Sequence, residues 1–179
     1  MKPDLITIAK GLTSAYAPLS GSIVSKKMWA VLEQGTDENG PIGHGWTYSA
    51  HPIGAAAGVA NLALIDQLNL VENAGTVGTY FNEQMRAALA DHAHVGDVRG
   101  EGMICAIEFV ADKADRRFFD AADKIGPQIA AKLLEQSSVI ARAMPQGDIL
   151  GFAPPFCLTR READQVVTAT VQAVKAVLG

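Results

Sequence analysis

A chain of 179 residues, 49% of them apolar, is long enough to bury a core as one domain or one and a half. Its formal net charge is −4, with 15 basic and 19 acidic residues interspersed and no basic run laced with aromatics, which argues against a nucleic-acid or anionic-membrane partner. No apolar stretch reaches the length of a bilayer span and the N-terminus lacks the layout of an export signal, so a soluble, cytoplasmic protein is expected.

In chain order, residues 5–9 and 21–25 read as two short strands, and residues 26–33 as a short helix. Residues 35–44, rich in glycine and polar side chains, read as a loop. Residues 52–68 form a helix crowded with small side chains such as Gly54, Ala56 and Gly58, expected to be tightly packed in a core. A second helix, 77–90, carries an apolar stripe through Val77, Tyr80, Phe81, Met85, Ala88 and Leu89. These two helices are expected to bridge a large domain to a small one.

Residues 95–102 and 103–110 read as strand, glycine turn and apolar strand, and 112–123 as a charged surface loop. Ile125, Ile129, Leu133 and Leu134 mark the next helix, and residues 139–143 and 149–153 are strands on either side of a Pro145-Gln146-Gly147 turn. Thr159-Arg160-Arg161-Glu162 has the spacing of a capping box and opens a final amphipathic helix. Alternating strands and helices in the second half give a small α+β domain from about residue 95. The expected domains are therefore 1–94 and 95–179.

Cys105 and Cys157 each lie in an apolar run without CxxC spacing, which predicts buried, reduced thiols and no metal site. His92-Ala93-His94 lacks further converging ligands and reads as a solvated turn.

One charged side chain stands out. Lys10 closes the apolar run Leu5-Ile6-Thr7-Ile8-Ala9, and an ammonium at the end of a buried strand needs a partner or must shed its proton to become an amine nucleophile. An ordinary lysine snorkelling out at a strand end satisfies the same residues.

Three blocks extend this reading. Ile6-Thr7-Ile8-Ala9-Lys10-Gly11-Leu12 with Pro18-Leu19-Ser20-Gly21, then Gly43-His44-Gly45-Trp46-Thr47-Tyr48-Ser49-Ala50-His51-Pro52, then Arg142-Ala143-Met144-Pro145 running into Pro154-Pro155-Phe156, resemble in order the class III (omega) aminotransferases. The resemblance spans essentially the whole chain. It implies an α/β chain that forms the C-terminal part of a fold-type I transferase dependent on pyridoxal 5'-phosphate, with a small α+β domain at its end. Lys10 matches the Schiff-base lysine, which also serves as the base that moves the substrate proton.

Thr47 matches the threonine whose hydroxyl binds the cofactor phosphate in the neighbouring subunit of a homodimer. Trp46 can add its backbone amide to that phosphate and its indole to the site wall, where packing alone accounts equally well for the indole. Arg142 sits where many members carry a mobile arginine that grips the keto-acid carboxylate; a surface salt bridge is the competing reading.

In that family the phosphate loop, the aromatic stacked on the cofactor ring and the aspartate at the pyridine nitrogen all precede the lysine, and only nine residues precede Lys10. The expected activity is amino transfer between an amine or omega-amino acid and a keto acid such as pyruvate. An aminomutase or decarboxylase on the same scaffold, or an inert piece serving only dimerisation or assembly, are the alternatives.

Overall fold

The structure is a computed structural model, and it describes residues 2–41 and 43–179. Residue 42, in the expected loop, lies outside them. The chain packs into two compact units, Met1–Leu68 and Asn69–Gly179. This division by packing falls ahead of the 94/95 boundary expected from the sequence.

In the first unit, β1 (Leu5–Ile8) pairs antiparallel with β2 (Gly21–Val24), Leu5 facing Val24 and Ile8 facing Gly21. A two-stranded ribbon has no second layer over its faces, and Leu5 and Ile6 remain 56% and 45% exposed. The expected buried strand is thus an open ribbon in this unit. Helix α1 (Lys26–Asn39) starts where the Ser25 hydroxyl accepts from Met28 N at 3.3 Å. It runs six residues beyond the expected stop at residue 33, through the start of the expected loop. Gly35 reads as a breaker, but an i,i+4 bond from Gln34 to Glu38 and the Thr36 hydroxyl on Leu32 O carry the helix past it. It stops at Gly40, whose φ of 84° suits a residue without a Cβ.

Helix α2 (Pro52–Gln67) begins with proline in its first turn, where the missing N–H costs no hydrogen bond. Its only buried residues are Gly54 and Gly58; Ile53, Val59, Leu62 and Leu64 are all at least half exposed. The expected core helix therefore packs along one narrow glycine face.

The second unit holds the apolar core. Helix α3 (Leu70–Leu89) starts seven residues before the expected position and turns Ala74, Val77, Phe81, Met85 and Leu89 inward. Tyr80 is half-buried against the same core, Ala88 of the predicted stripe lies exposed, and Asn82 takes a buried place on the inner face. The four-stranded antiparallel sheet has the order β3 (Val95–Glu101), β4 (Ile104–Phe109), β6 (Ile149–Phe152), β5 (Arg142–Ala143). Along β4, Cys105, Ile107 and Phe109 face the core at period two. Helices α4 (Ile125–Ser137) and α5 (Arg160–Leu178) complete the α+β unit, with α5 packed on α3 and α4. At Gly78 a Cβ would overlap the backbone of Gly102, itself at φ 54°, so glycine at 78 is what lets α3 rest on the β3–β4 turn.

The capping box forms as its spacing predicts: Thr159 Oγ1 accepts from Glu162 N at 3.3 Å, and Glu162 accepts from Thr159 N at 2.8 Å. Thr159→Ala is expected to lower the stability of the second unit by about 0.5–2 kcal/mol, measured by urea unfolding; an unchanged midpoint would contradict the role of the cap.

Two expectations about polar side chains change. Cys105 is fully buried, and burial pushes its thiol up to about 11, but Cys157 lies exposed in the turn after Pro154-Pro155. A thiol reagent should therefore modify Cys157 in the native protein and reach Cys105 only on unfolding; rapid modification of both would contradict this packing. His92 and His94 are half-buried rather than solvated: His94 N donates to His92 Nδ1 at 3.2 Å, and burial foremost, then His94, holds His92 below the ordinary histidine range.

Candidate active site

Strand β1 delivers Lys10 onto a single 3-10 turn, Lys10–Leu12, closed by Leu12 N on Ala9 O at 3.1 Å and Thr13 N on Lys10 O at 3.2 Å. Lys10 holds φ at 49°, a left-handed conformation that costs a side-chain-bearing residue on the order of 1–2 kcal/mol. The turn lets the chain reverse toward β2 with Lys10 at the bend.

Lys10 is exposed in the described structure, not sheltered. The apolar residues expected to strip water from its amine, Leu5 and Ile6, are themselves largely exposed, so they supply no dry surroundings in this unit. Lys10 opens instead onto a cleft of about 740 Å³, shared with Thr7, Ser20, Ser22, His44 and Trp46. Because Ile8 faces Gly21 across the ribbon, the Ser20 and Ser22 hydroxyls are carried beside the lysine turn. His44 and Trp46 meet edge to face with ring centroids 4.7 Å apart, and they form an aromatic wall.

Trp46 is 73% exposed even so. Its amide donates to Ser49 Oγ at 3.1 Å while Ser49 N donates to Trp46 O at 2.9 Å. That amide, expected to be offered to a phosphate, is here spent on the turn. Thr47 begins this turn, exposed and next in sequence to the cleft-lining Trp46, without lining the cleft itself. Arg142 lies in the second unit, exposed on the edge strand β5 opposite Gly151. The structure thus brings Lys10 and Trp46 into one cleft, sets Thr47 one residue beyond it, and places Arg142 on the other unit.

Ser20, Ser22 and His44 escaped the sequence reading as site residues. For the serines a signal existed: if the two short strands pair antiparallel through the connection at residues 9–20, the start of the second lies beside the end of the first.

A primary amine, several hydroxyls and an aromatic wall in a cleft of this volume suit a small aromatic aldehyde bearing a phosphate. The amine takes the aldehyde carbon and the hydroxyls offer donors to the phosphate without bulk. Among the described residues lining the cleft none is a carboxylate that could pair with a ring nitrogen.

The fold is that of the fold-type I transaminases. A transaminase from directed evolution by ancestral reconstruction superposes with a TM-score of 0.94 at 61% identity, over 99% of this chain and 38% of that one. The family model described as aminotransferase class-III matches residues 1–174, and the chain belongs to that family. Among curated relatives it is 61% identical to a diaminobutyrate–2-oxoglutarate transaminase of Halomonas elongata, over 99% of this chain and 38% of that protein. It is 34% identical to a putrescine–pyruvate aminotransferase of Pseudomonas aeruginosa, over 93% of this chain and 35% of that protein. The chain thus spans little more than a third of the length of these relatives.

Proposed function

We propose that this chain supplies the lysine side of a pyridoxal-phosphate site in an aminotransferase that moves the terminal amino group of an omega-amino acid or amine to a keto acid. The observation that carries the reading is Lys10 opening onto the same cleft as Trp46, in a chain that belongs to the class III aminotransferases. Bound there, pyridoxal phosphate would supply an electron sink for the charge left when a proton leaves the carbon bearing the amino group.

Lys10 Nζ would hold the cofactor's aldehyde carbon and, free as a neutral amine, would accept that proton and return it as an ammonium. Trp46 would close one wall against water, and the Thr47 hydroxyl would donate to the phosphate across a homodimer interface. The Arg142 guanidinium would grip the carboxylate of the keto acid with two parallel hydrogen bonds. The names of the two curated relatives favour 2-oxoglutarate or pyruvate as acceptor and a diamine-derived donor. A cytoplasmic homodimer is the assembly we assign to the complete enzyme.

A second reading, an inert assembly piece, is favoured by the exposed apolar side chains along α2. A hybrid enzyme in which this chain replaces the segment it matches in the Halomonas elongata relative separates the two. The first reading expects the hybrid to exchange amino groups between diaminobutyrate and 2-oxoglutarate, while the 179-residue protein alone, without a carboxylate in the described cleft lining, shows no measurable exchange. A folded, cofactor-loaded hybrid that turns over nothing would overturn it.

A further inference from the structure

The lysine turn is held from α2 by one side chain. Asn61 Nδ2 donates to Gly11 O at 2.9 Å and to Leu12 O at 3.3 Å, two carbonyls of the turn that begins at Lys10. Ser14 Oγ donates to Asn61 Oδ1 at 2.8 Å, which fixes which end of the amide faces those carbonyls. Residues Lys10, Ser14 and Ala15 hold φ at 49°, 48° and 64°, and three left-handed non-glycine residues within six positions persist only where the surroundings over-determine them.

The surroundings come from one face of α2. Gly54, Gly58 and Asn61 recur at helical spacing, and a Cβ at 54 would come within 3.0 Å of Pro18 O, one at 58 within 2.9 Å of the Leu19 side chain. Thr13, 2% exposed, is buried in the same stretch and donates to Ala17 O at 2.6 Å. The small residues let the loop come close, and Asn61 then grips it.

We infer that Asn61 is a positioning residue for Lys10: its amide holds the strained turn whose first residue presents the reactive amine to the cleft. This rests on the assignment of Lys10 made under the proposed function. It adds that the direction of the amine is set from α2 and not by the ribbon that carries it. The donor half of the amide does the holding and the acceptor half orients it, so Asn61→Asp, which keeps an acceptor for Ser14 but has no N–H for the carbonyls, fails as Asn61→Ala does.

The test uses the hybrid enzyme defined above with pyridoxal phosphate as probe, borohydride to trap it, and the ratio of label on Lys10 to label on the exposed Lys26 of α1 as a function of pH. Both Asn61→Ala and Asn61→Asp are expected to lower that ratio about ten- to a hundredfold and to displace its pH profile, as a misdirected reacting group does. Thermal unfolding of the second unit should not change. A ratio and profile unchanged in either variant would overturn the inference.

If Lys10 of the unaltered chain is labelled no faster than Lys26, the assignment of Lys10 fails first. The grip of Asn61 is then read from amide exchange at Leu12 and Thr13, whose N–H groups close the turn. Exchange about tenfold faster in both variants upholds it, and unchanged exchange removes it.

Discussion

Replacing Lys10 with Arg in the hybrid enzyme is expected to lower amino exchange by about 10²–10⁴-fold at least, the range over which positioned acid–base groups act. Arginine keeps most of the length and the hydrogen-bonding capacity of the side chain, so folding of the ribbon changes little. A guanidinium stays protonated at any working pH, which removes both the nucleophile and the base at once. Exchange of diaminobutyrate with 2-oxoglutarate, followed at saturating pyridoxal phosphate, reads the loss. Retention of activity within a factor of about ten would mean that another amine does this chemistry.

The second large effect concerns where stability resides. All of the described buried apolar side chains fall between Ala74 and Val174, whereas residues 2–41 and 43–68 bury only Thr13, Gly54 and Gly58. Apolar burial is the dominant favourable contribution to folding, so residues 69–179 expressed alone should unfold in urea as one cooperative transition. Residues 1–68 alone should show none. Within the excised unit, Phe81→Ala should cost about 3–5 kcal/mol, because Phe81 is fully buried and meets Phe152 of β6 edge to face at 6.1 Å. A loss below about 1 kcal/mol, or a cooperative transition from residues 1–68, would contradict this division.

Much of the second unit was legible in the sequence, because its elements bury one face and their periodicity shows it. The apolar strand read at 103–110, the final amphipathic helix and the Thr159–Glu162 box all appear in the structure, β4 adding a period-two burial that its largely apolar sequence did not show. The first unit was harder, since propensity and packing disagree there. Gly35 looked like a loop and sits inside a helix held by side-chain bonds; α2 looked like a core helix and buries only two glycines.

The same split holds at the site. The order of the motifs picked out Lys10 and Trp46 as candidates, and both line one cleft. The shelter expected for Lys10 was inferred from neighbouring apolar residues, but exposure depends on what covers a ribbon, which local sequence does not encode. Asn61 gave no signal along the chain because its partners lie 47 to 50 positions away.

If Lys10 is the amine that takes the cofactor, it must carry the cofactor's carbon after reduction. Loading the hybrid enzyme with pyridoxal phosphate, reducing with borohydride and mapping the modified peptide by mass spectrometry tests it most directly. A single phosphopyridoxyl group is expected, on the peptide that contains Lys10. Label on a different lysine, with Lys10 unmodified, would contradict it.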